Sequence, residues 1–366
     1  MKGRIIRLYP KRQEKEFFSL CFRFNNRAWN MCHANYLAHL QAKKYNLNPG
    51  HRNDGKSVTN SKDELDRKAD SKIKNYVVKN YGQAWKKHYT EGTGRPRFHS
   101  FKKSRKSYTT DKPVFNGNYL LLPKCKNKIK FKGDLLDHDI ANITIFMKNN
   151  KYYASIIYKN VEITPMVNTN KDLGIDWGES TFLTLSKGIK INPFIDHDLE
   201  EKINNLNFDL SKKTLHSKSW YRLKNKIDKL KEKRTNRLKN WYHKLTTKLV
   251  KNYDNIFIEK LNYKTIHQEA KKFVSKIKKT YYQFGTIKKM LDYKLSWYKN
   301  TKLIEVSAKN TSKICHVCNY VHPDLGIHIR EWICPVCKSN HDRDINASIN
   351  ILNRGLGVRE ELLQTK

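Results

Sequence analysis

Cys315-His316-Val317-Cys318 is followed, after 15 residues, by Cys334-Pro335-Val336-Cys337, and three residues later the chain reads His341-Asp342-Arg343-Asp344-Ile345-Asn346-Ala347. Two Cys-x-x-Cys pairs at that separation read as a tetrahedral zinc ribbon. Each pair makes a turn whose backbone amides support two thiolates. Four thiolates close the coordination shell, so the metal is structural. His316, His322 and His341 could substitute as ligands, but the cysteines suffice. The other cysteines are Cys21, Cys32 and Cys125. An odd total with four clustered is not a secreted disulfide framework and fits a reducing cytoplasm.

Working outward from the ribbon, three acids stand in separated segments. Asp176 ends the apolar run Leu173-Gly174-Ile175. Glu259 ends Ile256-Phe257-Ile258. Asp342 and Asp344 open a helix right after the second cysteine pair. A carboxylate at the end of a buried strand is costly unless a cation offsets it. Clustered carboxylates can hold two Mg²⁺ about 3.5–4 Å apart and act on a phosphodiester. Strand-end and N-cap acids are common singly; the ordered trio in one α/β unit is what carries weight. Gly178 leaves backbone room beside the site.

The rest of the chain says what the trio acts on. Lys and Arg total 74 against 34 Asp and Glu in 366 residues, a formal charge of +40. Such an excess opposes compaction unless a polyanion neutralises it, and nucleic acid is the polyanion that suits a charge spread over the whole chain. Between Lys212 and Lys251 there are 15 Lys/Arg against Asp228 and Glu232, a polyanion-facing helix surface. The apolar share of 38%, with 20 Tyr, 15 Phe and 7 Trp, builds cores rather than disorder. No run approaches 18 apolar residues and the N-terminus has no signal-peptide pattern. At this length two or more domains are expected.

Periodicity supplies the layout. Gly3–Tyr9 reads as a strand. Phe17, Leu20, Cys21, Phe24, Ala28, Met31 and Cys32 recur at helical spacing, so a helix of about 30 residues starts near Glu14 and its cysteines are core thiols. A second helix spans Lys62 to about Tyr89. Phe98–Asp111 is a basic, hydroxyl-rich segment. Short strands follow at Tyr119–Leu122, Lys128–Phe131, Ile143–Met147 and Tyr152–Tyr158. From Lys171 the pattern turns α/β. Strands at 181–186 and 188–192 precede a strongly helical stretch, 198–253. A strand at 255–261, a helix at 281–298 and a strand at 302–307 follow.

The order Gly-Ile-Asp-x-Gly, Ile-x-Ile-Glu-x-Leu-Asn, then two Cys-x-x-Cys pairs and His-Asp-Arg-Asp-x-Asn-Ala resembles TnpB, the RNA-guided endonuclease family of bacterial insertion sequences, related to compact type V CRISPR effectors. Asn310-Thr311-Ser312, Arg330-Glu331-Trp332-Ile333-Cys334, Gly94-Arg95-Pro96-Arg97-Phe98 and the opening Arg7-Leu8-Tyr9-Pro10 are similar to that family as well. The resemblance implies a multidomain α/β fold: a RuvC-type, RNase H-like nuclease domain (169–311 and 339–354) with an inserted zinc ribbon (312–338). It adds an N-terminal wedge β-barrel (1–12 and 98–168) interrupted by a helical recognition lobe (13–97), and residues 355–366 are expected as a flexible tail. Asp176, Glu259 and Asp344, rather than Asp342, would be the catalytic acids holding Mg²⁺. Cys315, Cys318, Cys334 and Cys337 would hold zinc. By position, Ser107, Tyr108, Thr109 and Thr110, with Lys74, Lys79 and Gln83, would lie near the short motif beside the target.

The partners implied are a guide RNA transcribed from the element and double-stranded target DNA, with no membrane. The protein would work as a monomer with its RNA in the bacterial cytoplasm, on the nucleoid when bound to DNA. Guide pairing reads sequence while the protein supplies charge and shape. A cleavage-inactive RNA-guided regulator and an RNA-independent DNA transposase are the competing readings. Retention of all three acids speaks against the first, and the ribbon directly before the third acid against the second.

Overall fold

The computed structural model describes residues 2–45, 58, 64–102, 104–161, 169–178, 180–260, 280–298, 300–326 and 328–364. The chain divides into two compact units, Met1–Glu162 and Ile163–Lys366.

The first unit opens with β1 (Lys2–Tyr9), stopped by Pro10, and α1 (Arg12–Lys44). The Lys11 amide donates to the Glu14 carboxylate, which satisfies one of the donors a helix start leaves open. Phe18, Cys21, Phe22, Ala28 and Cys32 form the buried stripe of α1, so both cysteines are core thiols; burial pushes Cys21 up to about 12. Two further helices are α2 (Glu64–Lys68) and α3 (Ile73–Glu91), the latter closed by Gly92 in the left-handed conformation. The strands are β2 (Ser107–Thr110), β3 (Val114–Asn116), β4 (Tyr119–Leu121), β5 (Ile129–Lys132), β6 (Ile140–Lys148) and β7 (Lys151–Tyr158). They build one seven-stranded antiparallel sheet in the order β2-β6-β7-β1-β5-β4-β3. Lys148 pairs with Lys151 across Asn149 and Asn150, both at positive φ, which is the two-residue hairpin whose twist matches the strands it joins.

In the second unit, β8 (Asp172–Trp177), β9 (Leu183–Leu185) and β10 (Lys190–Ile191) lead to α4 (His197–Ser211) and α5 (Lys218–Asn252). The helical stretch is made of two helices. Ser217 caps the second by accepting from the Trp220 amide at 3.1 Å, and His216 before it sits at positive φ. Then come β11 (Asn255–Glu259), α6 (Phe284–Leu295), β12 (Lys302–Val306), the small ladder β13 (Glu331–Ile333) and β14 (Asn340–Asp342), and α7 (Arg343–Gln364). The main sheet has the order β10-β9-β8-β11-β12, with β8, β11 and β12 parallel and β9 and β10 antiparallel.

Strand alternation divides this sheet cleanly. Leu173, Ile175, Trp177, Ile256 and Ile258 face the apolar core made with Leu238, Tyr242 and Leu249 of α5 and Ile287, Leu291 and Leu295 of α6. Phe257, Ile304 and Val306 face the other way, onto Ile351, Leu352 and Leu356 of α7. The glycines at 355 and 357 predict a loose tail from 355 on, whereas α7 runs to Gln364. Gly355 is a packing position: a Cβ there would collide with the Phe257 ring. Among the described residues no helix is long and apolar enough to cross a membrane.

Candidate functional site

The parallel pairing of β8 and β11 keeps one register, from Asn255 opposite Asp172 to Ile258 opposite Ile175. The next step along that register sets Glu259 against Asp176. Both belong to the alternation set that includes Gly174 and Phe257, the face that α7 covers. The cover is close: a Cβ on Gly174 would collide with the Ser348 carbonyl oxygen, so only glycine lets the helix seat there. Asp344 lies one turn before Ser348, at the start of α7. Two strands and one helix thus bring acids from three distant segments to one end of one face.

The electrostatics agree with that convergence. Asp176 is 9% exposed. Burial, then the Glu259 and Asp344 charges, push its carboxyl well above the usual carboxylate range. Glu259 is also raised, mainly by burial, and its side chain hydrogen-bonds Asp176. Gathering carboxylates in a buried place is costly unless a cation offsets their charge. A divalent cation would supply that charge, so the donor set fits a hard metal ion. Asp344, also 9% exposed, is 3.3 Å from the Arg330 guanidinium.

Asp342 does different work. Its Oδ1 accepts from the amides of Asp344 and Ile345, making it the N-cap of α7, and its Oδ2 is 2.6 Å from Lys190 Nζ. Burial works to raise its carboxyl, but the Lys190 ammonium and the two amides hold it below the ordinary value. Both its oxygens are engaged, which leaves Asp344 as the acid turned to Asp176.

The four cysteines form the second cluster. Their sulfur atoms all lie within 4.8 Å of one another, the one such group of potential metal ligands among the described residues; the three acids do not meet that measure. The Sγ separations of Cys315–Cys337 and Cys318–Cys334 are 3.6 Å each. Tetrahedral zinc with bonds of about 2.3 Å needs sulfur atoms about 3.8 Å apart, so the cage fits zinc. The Asn319 amide folds back to the Cys315 carbonyl and the Lys338 amide to the Cys334 carbonyl, each at 2.9 Å, forming the two knuckles. His341 is buried, its Nε2 3.1 Å from Cys315 Sγ, as a neighbour of the cage rather than a needed ligand.

Two family models match. One, described as "Cas12f1-like, TNB domain", covers residues 284–351; the other, described as "Probable transposase", covers 155–270. A Streptomyces pristinaespiralis protein named "Putative RNA-guided DNA endonuclease" is 29% identical over 272 residues, 72% of this chain and 66% of its own length. "TnpB-like protein MJ1635" of Methanocaldococcus jannaschii is 32% identical over 248 residues, 64% of this chain and 57% of its own. The chain is thus similar to TnpB-like proteins over most of its length. It spans less than two thirds of the length of these relatives. A solved structure, a Cas12f1–sgRNA–target DNA complex, shares the fold with a TM-score of 0.58 at 13% identity, covering 94% of this chain and 83% of that one.

The residues expected near the target-adjacent motif lie on β2 and on α3, which pack against each other. Ser107–Thr110 form an edge strand, and its alternation turns Tyr108 and Thr110 inward. Tyr108 packs between Phe18 and Phe22 of α1, at 6.3 and 5.9 Å between ring centres. Both are therefore core residues and cannot touch a nucleic acid. Ser107 and Thr109 are half-buried, and the Thr109 hydroxyl is 2.9 Å from that of Thr144. On α3, Lys74 is half-buried while Lys79 and Gln83 are exposed. Reading the sequence did not reveal the ion pair from Arg330 to Asp344; Arg330 stood only in a family-like segment, with nothing local to name its partner.

Proposed function

We propose that this chain is an RNA-guided DNA endonuclease of transposon origin. A guide RNA transcribed from the element would pair with double-stranded target DNA beside a short adjacent motif, and a RuvC-type site would hydrolyse phosphodiester bonds of both strands. The observation that carries this reading is the convergence of Asp176, Glu259 and Asp344 at one end of one sheet face, close enough that the neighbouring acids push the Asp176 carboxyl up. The three carboxylates would hold two Mg²⁺, which supply an activated water and charge stabilisation at the leaving oxygen. Asp176 and Glu259, fixed by parallel strands, would set one side of the site; Asp344, on a helix, would close the other. Arg330 beside Asp344 would orient that carboxylate. Cys315, Cys318, Cys334 and Cys337 would hold structural zinc. The formal charge of +40 would hold the RNA and DNA backbones, giving binding that weakens with salt.

The test has two arms. Sequencing RNA that co-purifies with the chain should give one discrete species. With that RNA and Mg²⁺, a matching duplex should be cut, and Asp176→Ala should abolish cutting while guide-dependent binding persists. Cleavage that survives in Asp176→Ala would remove the site assignment. Cutting by rigorously RNA-free protein would replace the reading with that of a transposase.

A further inference from the structure

Helix α7 serves two masters. Its inner side packs on the sheet through Ile351, Leu352 and Gly355. Toward the ribbon it presents two asparagines one turn apart, Asn346 at 1% and Asn350 at 7% exposure. Buried amides destabilise unless their donors and acceptors are matched, and these are matched to the backbone around the first cysteine. Both donate to the Ile314 carbonyl, at 2.7 Å from Asn346 and 2.6 Å from Asn350. Asn350 also donates to the Thr311 carbonyl at 2.8 Å. The Asn346 oxygen accepts from the His316 amide at 3.0 Å and lies 2.9 Å from His316 Nδ1. Ile314 and His316 flank Cys315, so Asn346 alone holds the peptide groups on both sides of that ligand. Asp344 is two residues before it on the same helix. The ribbon reaches Asp344 a second way, through Arg330.

We propose that Asn346 and Asn350 are positioning residues that register the helix bearing Asp344 on the four-cysteine ribbon, so that the ribbon sets where that carboxylate stands at the acid cluster. This rests on the metal-binding reading of the acids given above. The two asparagines work with opposite polarity: at 346 the acceptor facing the His316 amide has no substitute, because Asn350 also serves Ile314; at 350 the donors do all the work. Partners behind a metal ligand typically contribute about 10–100-fold in metal affinity.

The test uses the full chain with its zinc and Mn²⁺ alone as the probe of the acid site. Mn²⁺ affinity is read by calorimetry and zinc content is measured on the same samples. Asn350→Asp keeps the side-chain volume but sets an oxygen against two carbonyls; it should keep its zinc and lose tenfold or more in Mn²⁺ affinity. Asn346→Leu, which removes both its donor and its acceptor, should fall with Asn350→Asp. Should Asn350→Asp fail to fold, Asn346→Leu carries the same comparison. Unchanged Mn²⁺ affinity in Asn350→Asp and Asn346→Leu, or loss of zinc from the folded Asn350→Asp chain, would overturn the clamp alone. A wild-type chain without a Mn²⁺ site that Asp176→Ala removes would overturn the reading of the acids, and the clamp with it.

Discussion

The two faces of the five-stranded sheet come from the same strands, one residue out of step, yet they are built for opposite ends. Toward α5 and α6 the strands present Leu173, Ile175, Ile256 and Ile258, all buried against leucines, isoleucines and tyrosines. Toward α7 the same strands present Gly174, Asp176, Phe257 and Glu259. The difference teaches how a core tolerates carboxylates. The α7 face closes tightly where it can, at Gly174 and Gly355, and leaves its acids at the strand ends where a cation can reach them. The first face maximises burial; the second gives some up to gather like charges.

The sharpest way to break that contrast is on the acid face. Asp176→Ala should lower cleavage by on the order of 10³-fold or more, the several kcal/mol that a bound metal supplies in a transition state. The metal-free chain should not lose stability, because burial and the neighbouring acids already disfavour the Asp176 carboxylate. A denaturation curve beside a cleavage time course reads both. If the variant melts early like a core mutant, the two faces are not different in kind.

Its counterpart is Leu291→Ala on the apolar face. Leu291 is fully buried in α6. Truncation should cost about 2–5 kcal/mol in chemical denaturation, while cleavage per folded molecule stays near wild type. A specific loss of cleavage with full stability would mean that the apolar face shapes the acids directly.

Gly174→Ala should fall between these. The added methyl meets the Ser348 carbonyl, so α7 must shift, at about 1–3 kcal/mol for overpacking. Because α7 also carries Asp344, Mn²⁺ binding should weaken as well. Equal stability and unchanged Mn²⁺ affinity would show that the close approach of helix and sheet is dispensable.

What could be read before the structure follows the range of the interactions. The cysteine cage is local: two short knuckles dictate it, so spacing alone displayed it. Asp176 and Glu259 could be picked out because each closes an apolar run, and Asp344 because it opens a helix just after the cysteines; strand alternation then gives Asp176 and Glu259 a shared face. Asp344 was preferred to Asp342 on the family resemblance alone; the physical reason, the amides and Lys190 that occupy Asp342, is encoded in no spacing. Ser107–Thr110 read as a polar segment because three of its four residues carry small hydroxyls; Tyr108 nevertheless packs on α1 and Thr110 is fully buried, and tertiary packing overrode composition. The break at 212–217 was hidden in a basic run whose helical periodicity barely falters. Gly355 read as a breaker because its reason, the Phe257 ring, lies on a strand almost a hundred residues earlier in the chain.

The smallest expected effect tests the apolar face by a buried charge. Lys294, 3% exposed on α6, donates to the His243 carbonyl and to the Thr246 and Thr247 hydroxyls of α5, at 2.8, 2.6 and 2.8 Å. Burial lowers its ammonium to about 8, from an ordinary 10.5. Below pH 8 the folded and unfolded chains both carry that proton. Between 8 and 10.5 the folded chain has released it and the unfolded chain has not, so this group makes stability rise with pH across that window. Lys294→Met removes the titration. The stability of wild type relative to Lys294→Met should therefore grow by on the order of 1 kcal/mol as denaturation curves are taken from pH 8 to 10, with groups common to both chains cancelling. A difference that stays flat would mean the three oxygens hold the lysine charged, and that this face, like the other, is arranged to keep a charge.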